Sequence, residues 1–346
     1  MSKATISRNI DRNTVISSAT ATSVTPSLQV RDQNFPSGDL AIESLTLRYD
    51  ANIGGTATPT RVTNGQIFWL NALTVETDKH GKLVDAVDGL MLYNMNLYEY
   101  GTAGQTTALT ATPADSDTPS CSWKVPFSLF KGLRPYDTHL DMARARMKVS
   151  YQYGAGTNLW TQAGGSPVID DLTHSIEAKI LPGPLKVEPA SESELPTYVK
   201  CLEQKSDPIS ATETRRQIAL PFGDAIWRRL FISQRNTSSK IEMSNVISPT
   251  AEVSLYINNT PIVDRRLWRD IQAENKLQYG IETLPTGVAV LDFDADSQER
   301  IADMLWALTL EAGNMYLYID VTTQTNASLL LGFDRLKPIP AAALRG

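Results

Sequence analysis

The chain contains few of the residues that hold disulfide-rich domains or zinc sites together. It has two cysteines and three histidines in 346 residues. Cys121 and Cys201 lie far apart and form no CxxC pair, which argues against a disulfide scaffold and against a structural zinc site. Such sparse cysteine is typical of a protein that is assembled in a reducing cytoplasm.

Long apolar runs are also missing from the sequence. A transmembrane helix needs about 18 or more consecutive apolar residues. The nearest candidate, Ile301 to Val321, is interrupted by Asp303, Glu311 and Asp320. The first residues, Met1 to Ile10, are polar and mildly basic, so they do not predict a secretory signal. We therefore expect a protein that is soluble when made.

An excess of positive charge is absent as well. The net charge is -6, and charged residues make up 20% of the chain against 42% hydrophobic residues. Proteins that wrap nucleic acid without sequence preference normally present a basic surface. We therefore predict neither genome wrapping nor direct sequence-specific contact with nucleic acid. The composition is that of a folded protein, and the length allows one large domain or two of ordinary size.

Catalytic motifs are not found. His80, His139 and His174 lack an HExxH pattern or a cysteine at ligand spacing, so we interpret them as surface or packing residues. The sequence has no GxSxG elbow, no P-loop and no GxGxxG after a strand. Glu192 and Glu194 could suggest a glycoside hydrolase, but they lie in a proline-rich segment without a rigid scaffold. We expect no catalytic residue, no cofactor and no enzyme activity.

One run of carboxylates imitates the start of a calcium loop, and its members are Asp292, Asp294 and Asp296. Ser297 replaces the turn glycine and Asp303 stands where the bidentate glutamate belongs, so we predict no metal ion. Instead, Phe293 should face a core, Asp292 and Asp294 should face solvent, and Asp296 should cap a helix. The tryptophans in predicted strands and helices should pack in cores, whereas Trp160, in a glycine-rich loop, could be an exposed contact.

Strand patterns dominate both halves of the chain, which predicts an all-β fold of two tandem sandwiches with short helical insertions. The predicted divisions are an N-terminal arm (1–25), a first sandwich (26–185), a proline-rich connection (186–214), a second sandwich (215–338) and a tail (339–346). The prolines of the connection argue against a long strand there. Residues 65–77 and 90–100 are predicted as β structure, and Asn258-Asn259 as a tight turn.

Three short helices interrupt the predicted strands, over residues 137–147, 265–276 and from Asp296 to Gly313. The last begins with a capping box, Asp296 and Glu299, and presents Met304 and Leu305 to a core.

The N-terminal arm is rich in serine, threonine and asparagine and should be extended, not packed. It carries three basic residues, Lys3, Arg8 and Arg12, which could meet anionic lipid head groups and form a membrane-proximal arm. A free tail is the alternative.

The second half resembles a known family. Its marks are Trp268-Arg269-Asp270, Gln278-Tyr279-Gly280, Leu291-Asp292-Phe293 and the amphipathic helix ahead of Leu317 to Asp320. In this order they resemble the second jelly roll of major capsid proteins from tailless, membrane-containing bacteriophages. The likeness is to the corticovirus type, within the tectivirus and adenovirus lineage. It covers about a third of the chain, and the first half matches in architecture only.

The resemblance implies a double jelly roll, two eight-stranded sandwiches in one chain. It also implies a homotrimer of pseudo-hexagonal outline that tiles an icosahedral shell over an internal lipid membrane. The expected partners are neighbouring trimers, penton and minor capsid proteins and that membrane, and the expected location is the virion after synthesis in the host cytoplasm. The alternatives are a lectin- or adhesin-like sandwich, another phage structural protein, and a β-rich hydrolase.

Overall fold

Two compact units make up the chain. The structure is a computed structural model, and the residues it describes are 6–15, 27–31, 41–54, 60–62, 64–101, 104, 106–108, 117–128, 140–142, 145–154, 158–161, 168–181, 198–221, 225–236, 247–282, 284–285, 287–293, 313–323 and 327–339. The second unit contains Leu202–Lys337 together with a short segment that begins at Tyr98, and the first unit contains the remaining residues. The predicted domain boundaries at 185 and 214 remain predictions.

The first unit is built from two antiparallel sheets. One has the strand order β1-β12-β3-β8-β7 with β9 beside β3, and the other contains the order β6-β5-β10-β2. A two-stranded ribbon, β11-β4, is added. The elements are β1 Ile6–Val15, β2 Ser27–Arg31, β3 Ala41–Gly54, β4 Thr60–Arg61, α1 Gly65–Phe68, β5 Leu70–Thr77, β6 Gly81–Val87, α2 Gly89–Tyr100, β7 Thr106–Thr107, β8 Ser120–Pro126, β9 Leu140–Asp141, β10 Arg146–Tyr153, β11 Trp160–Thr161 and β12 Val168–Leu181.

Alternation along the strands creates the core of this unit. In β12, every second residue from Leu172 to Ile180 is buried and the residues between them are half-buried. Aromatic rings then join the two sheets. Tyr49 of β3 lies 5.6 Å from Tyr153 of β10 and 5.7 Å from Trp123 of β8, measured between ring centroids. Edge-to-face and tilted contacts of this kind stabilise a core beyond the area they bury.

Helix α2 corrects the prediction of β structure over residues 90–100. Asp88 caps it, since its carboxylate accepts a hydrogen bond from the Met91 backbone N–H at 2.8 Å. The helix is buried on several sides, so its apolar residues do not show the one-sided period that marks a surface helix. Gly89 begins it because a Cβ there would lie 2.2 Å from the Ile67 carbonyl oxygen. Residues 65–68 likewise form one helical turn, α1, before β5.

The second unit has eight described strands, which form two layers of four paired strands. Their orders are β18-β15-β20-β13 and β14-β19-β16-β17. The elements are β13 Tyr198–Ile209, β14 Glu213–Leu220, β15 Ile226–Asn236, β16 Glu252–Ile257, β17 Thr260–Leu267, α3 Trp268–Tyr279, β18 Val288–Asp292, β19 Met315–Val321 and β20 Ala327–Pro338. Within the described residues these are the eight strands of the second sandwich, and they include β13, which lies before the predicted start at residue 215.

One apolar core fills the space between the two sheets of the second unit. It contains residues from both sheets, such as Leu230, Leu255 and Leu331, and residues of α3. Helix α3 confirms the helix predicted near residues 265–276 and buries Trp268 and Ile271 against the core. Asn258 has a φ of 53° at the predicted turn between β16 and β17, a conformation that asparagine tolerates.

Three predictions about local structure are wrong. No long strand was expected over residues 186–214, but β13 and the start of β14 lie there, and Pro208 is tolerated because it is exposed near the end of β13. The helix predicted at 137–147 is replaced at Leu140–Asp141 by β9 and from Arg146 by β10, since pairing with β3 and β5 outweighs a short apolar pattern. The arm is also not free of the fold, because its residues 6–15 form β1 and pair with β12.

The helix predicted from Asp296 to Gly313 lies outside the described residues, except for Gly313 itself. Met304, Leu305 and Trp306 therefore also lie outside them. Among the helices in the described ranges, none combines the length and hydropathy needed to cross a membrane.

Candidate functional site

No catalytic constellation is assembled in the described part of the chain. His174 is buried in the middle of β12, where its Nε2 is hydrogen-bonded to the Tyr151 hydroxyl and the two rings meet edge to face at 4.8 Å. His174 is therefore a packing residue, as predicted. His80 lies in the turn after β5, and His139 lies outside the described residues. No group of three or more potential metal ligands occurs among the residues that were placed.

Both cysteines are buried free thiols. Burial raises the pKa of the Cys121 thiol well above its ordinary range, which keeps it protonated. The Cys201 thiol points to the Lys82 carbonyl oxygen at 3.7 Å. Neither position has the character of a reactive cysteine.

The tryptophans that the structure describes pack in cores, and Trp160 corrects its prediction because only 4% of its surface is exposed. Trp123, Trp227 and Trp268 are buried as predicted. Trp69, which sequence reasoning did not single out, is also buried, and its Nε1–H donates a hydrogen bond to the Gly154 carbonyl oxygen at 2.7 Å. An exposed aromatic platform for sugars is therefore not formed by these residues.

A buried ionic cluster lies in the second unit. Arg229 of β15 pairs with Glu99, and its Nε lies 3.3 Å from a carboxylate oxygen of Asp334 in β20. Arg228 approaches the same carboxylate at 3.6 Å. Burial acts to lower the pKa of Arg229, but the negative charges of Glu99 and Asp334 outweigh it and raise that pKa well above its ordinary value. The guanidinium of Arg229 thus stays charged in the interior.

Asp292 belongs to the same region and corrects the expectation that it faces solvent. It is half-buried, and its carboxylate accepts hydrogen bonds from the Tyr279 hydroxyl and from Gln278 Nε2 at 3.2 Å. Phe293 packs against the apolar core, as predicted. Two residues of the apparent calcium loop thus have structural partners, and Asp294 and Asp296 lie outside the described residues.

A second ionic cluster joins β13 to β20. Glu203 accepts hydrogen bonds from Arg335 and from the Lys337 ammonium, the latter at 2.9 Å. Burial acts to raise the pKa of Glu203, but the hydrogen bonds and charges of Arg335 and Lys337 outweigh it and lower that pKa. Arg335 also lies 5.6 Å from the centre of the Trp227 ring.

The outer face of the β12-β3-β8 sheet in the first unit is charged and locally balanced. Glu43 lies between Lys179, at 2.8 Å, and Lys124, at 3.9 Å. Arg48 and Asp50 form an exposed pair at 2.9 Å. Such mutually paired charges are typical of a solvated sheet face.

The outer face of the β14-β19-β16-β17 sheet in the second unit is different. It presents three half-buried tyrosines, Tyr256, Tyr316 and Tyr318, which we call the tyrosine face. Tyr256 and Tyr316 are directly paired across β16 and β19, and the Tyr256 and Tyr318 rings meet edge to face at 5.4 Å. The Arg215 guanidinium lies 5.3 Å from the centre of the Tyr318 ring. Sequence reasoning missed this face because it requires the pairing of two distant strands.

Backbone strain occurs at both edges of the tyrosine face. Arg215 in β14 has a φ of 55° and Arg265 in β17 has a φ of 43°, in the left-handed region that non-glycine residues seldom adopt. Neighbouring side chains hold each backbone, because the Arg215 N–H donates to Asp320 at 2.8 Å and the Arg265 N–H donates to Ser254 at 3.0 Å. Strained positions of this kind concentrate at functional sites.

Two of the three basic residues of the predicted arm lie in β1. Arg8 is paired with Ala178 and Arg12 with Ser175 in the register of β1 and β12. Lys3 lies outside the described residues.

Comparison with known proteins gives a clear result for structure and none for sequence. No family model matches the chain. No curated protein matches its sequence. Among solved structures, the major capsid protein of Sulfolobus Turreted Icosahedral Virus matches with a TM-score of 0.64 at 14% identity, over 99% of this chain and 98% of that one.

Two further capsid structures match at similar length. The PBCV-1 virus capsid protein matches with a TM-score of 0.61 at 12% identity, over 97% of this chain and 96% of that one. The major capsid protein of bacteriophage PM2 matches with a TM-score of 0.53 at 11% identity, over 98% and 99% of the two chains. These proteins are double jelly rolls. This chain has a double jelly-roll fold. The predicted fold class is thereby confirmed.

Proposed function

We propose that the protein is a major capsid protein that builds an icosahedral virus shell. The observation that carries this proposal is the extent of the structural match. A capsid protein from each of three viruses is matched over at least 92% of its own length, and this chain is covered over at least 97%. A binding module or an enzyme that had borrowed one sandwich would match one half only. The full-length match therefore supports a shared architectural role.

The working unit in this proposal is a homotrimer with a pseudo-hexagonal outline. Two sandwiches per chain give six in a trimer, which allows three identical chains to fill a six-sided position. Light scattering of the purified protein at micromolar concentration and neutral pH tests this. We expect a mass near 114 kDa, three times the chain mass of 38.0 kDa. A protein that remains monomeric over the whole concentration range would contradict the trimer.

The shell itself needs a second experiment. Electron microscopy of the virus particles, or of particles assembled from purified protein, should show a lattice of trimers in the shell. The proposed partners are neighbouring trimers, penton and minor capsid proteins and an internal lipid membrane. The proposed location is the virion after synthesis in the host cytoplasm. The proposed role is structural. Nothing observed favours a lectin or adhesin, since Trp160 is buried.

A lipid contact of the N-terminal segment is the remaining part of the proposal. Lys3, Arg8 and Arg12 place three positive charges within the first twelve residues. Each basic residue near an anionic membrane surface contributes about 1 kcal/mol. The test is co-sedimentation with vesicles of phosphatidylcholine alone or with anionic phosphatidylglycerol. The wild type should bind only the anionic vesicles, and replacing all three residues with glutamine should abolish this binding. Equal binding by the two proteins would show that the segment is not a lipid contact.

A further inference from the structure

The tyrosine face has the composition of a protein interface. Its centre is aromatic, and its rim carries arginine and carboxylate groups. Tyrosine and arginine are enriched at the centres of protein interfaces, and polar groups form the rim. On the outer sheet face of the first unit, the described residues show no such aromatic centre and pair their own charges instead. Because the two outer faces differ within one chain, exposed tyrosines are not a general feature of the solvated sheet faces of this fold.

One edge of the tyrosine face is positive. In β14, Arg216 lies 2.7 Å from Asp207 and also pairs with Glu213, so its charge is balanced. Arg215 is exposed and stacks over the ring of Tyr318. Among the residues that the structure describes, no carboxylate lies within ion-pair distance of Arg215, so β14 presents its charge to the outside.

The opposite edge is negative. In β17, Arg265 lies 3.9 Å from Glu252, and Arg266 pairs with Glu274. Asp264 of β17 is exposed, and no cationic group in the described ranges pairs with its carboxylate. The sheet thus carries a cation at one edge, tyrosines in the middle and a carboxylate at the other edge.

We propose that the tyrosine face binds the same face of a second copy of this chain, across a two-fold axis that runs along the strands. Such an axis places β14 of one copy over β17 of the other, so the edge that carries Arg215 lies over the edge that carries Asp264 on both sides of the contact, and the tyrosines meet in the middle. A two-fold contact uses the same patch on both copies. It cannot lie inside a three-fold trimer, so it joins copies in neighbouring trimers.

This inference rests on the proposed function, because a shell supplies further copies at high local concentration. The charge distribution argues against the other classes of occupant. Asp264, Asp320 and Glu252 lie on or beside the face and would repel nucleic acid and anionic lipid. A surface that carries one charge of each sign at opposite edges is complementary to itself.

Charge reversal at the two edges tests the contact. Arg215→Asp and Asp264→Arg are compared singly and combined in one chain, with Arg48→Asp on the charged face of the first unit as the matched control. Light scattering over a concentration series measures association beyond the trimer. Each single reversal should weaken that association about 10-fold or more, as loss of a close interfacial charge pair does. The combined variant should recover most of it, since both edges are reversed together, and Arg48→Asp should associate like the wild type.

The outcomes separate the inference from the proposed function. Two results would overturn the two-fold contact and leave the proposed function standing. The single reversals could leave the association of trimers unchanged, or the combined variant could associate as weakly as the single variants do. A dimer that follows the predicted pattern of reversal and rescue, without any trimer, would support the contact and overturn the trimer. A wild-type chain that stays monomeric would overturn both.

Oxidative cross-linking gives an independent measurement. Tyrosines that meet across an interface form dityrosine, and a mixture of ¹⁴N- and ¹⁵N-labelled chains distinguishes links between chains from links within one. We expect mixed-label peptides that join Tyr256, Tyr316 or Tyr318 of two copies. The variant with phenylalanine at all three positions should lose these links while it still associates. Links between chains that involve only other tyrosines would refute the proposed contact.

Discussion

Replacing Arg229 tests whether water is excluded from the ionic cluster of the second unit. Its side chain is 7% exposed and lies between the carboxylates of Glu99, 13% exposed, and Asp334, 3% exposed. Methionine would preserve much of the aliphatic volume but would leave two buried carboxylates without their main cation. Breaking a buried pair from one side costs about 3–5 kcal/mol, mostly because the remaining charge is stranded. We expect Arg229→Met to lower the free energy of unfolding of the second unit by that amount.

Equilibrium unfolding in urea measures this change, and hydrogen exchange of the β15 and β20 amides assigns it to the second unit. Adding Glu99→Gln to Arg229→Met should recover at least about 1 kcal/mol, because one stranded charge is removed. The control is Arg48→Met, which breaks the pair with Asp50 where the two side chains are 53% and 47% exposed. Exposed pairs contribute at most about 1 kcal/mol, so the control should lie close to the wild type.

Two results would refute the reasoning. Arg229→Met could cost no more than Arg48→Met, which would mean that water reaches the cluster and screens it. The double variant could also be less stable than Arg229→Met, which would mean that Glu99 stabilises the fold through contacts other than its charge.

Three further predictions follow from the structure. Leu255→Ala should cost about 2–5 kcal/mol in urea unfolding, since Leu255 is fully buried in the core of the second unit. The pKa of Glu203 is lowered in the folded state, so its contribution to stability is present above the unfolded pKa and is lost as the pH falls through the folded pKa. Glu203→Gln should therefore reduce the loss of unfolding free energy that urea titrations measure as the pH is lowered in this range. Deleting residues 1–24 should lower the free energy of unfolding by at least about 1 kcal/mol, since the hydrogen bonds of β1 with β12 each contribute about 0.5–1.5 kcal/mol. An unchanged melting temperature would show that β1 does not pair with β12 in solution.

The alternation of apolar and polar residues was sufficient to predict most strands that carry the two cores. It indicated β19 in the second unit and β3 and β12 in the first, whereas β20 was predicted from its apolar run. The helical period predicted α3, and the conformational tolerance of asparagine predicted the turn at Asn258. These features depend on local chemistry, and a single segment carries all the information required. The order of these segments also supported the resemblance to capsid proteins, whose fold the structure shares.

Segments that are buried on all sides could not be assigned in this way. Helix α2 has apolar residues around most of its circumference, so neither a helical nor a strand period stands out. Its N-terminal cap, Asp88, was the available signal and was missed. Strand β13 was missed because the prolines before it, and Pro208 near its end, were weighted more strongly than the apolar residues at its start.

Composition and short-range periodicity were enough to predict the two β-rich halves, the acidic net charge and the lack of catalytic motifs. Only the tertiary structure brought Arg229 to Glu99 and Asp334, and only strand pairing placed Tyr256 beside Tyr316. The physical reason is that these groups come from segments far apart in the chain. Their charges and rings interact only after the sheets have formed, and no local pattern records which strand will become the neighbour of which.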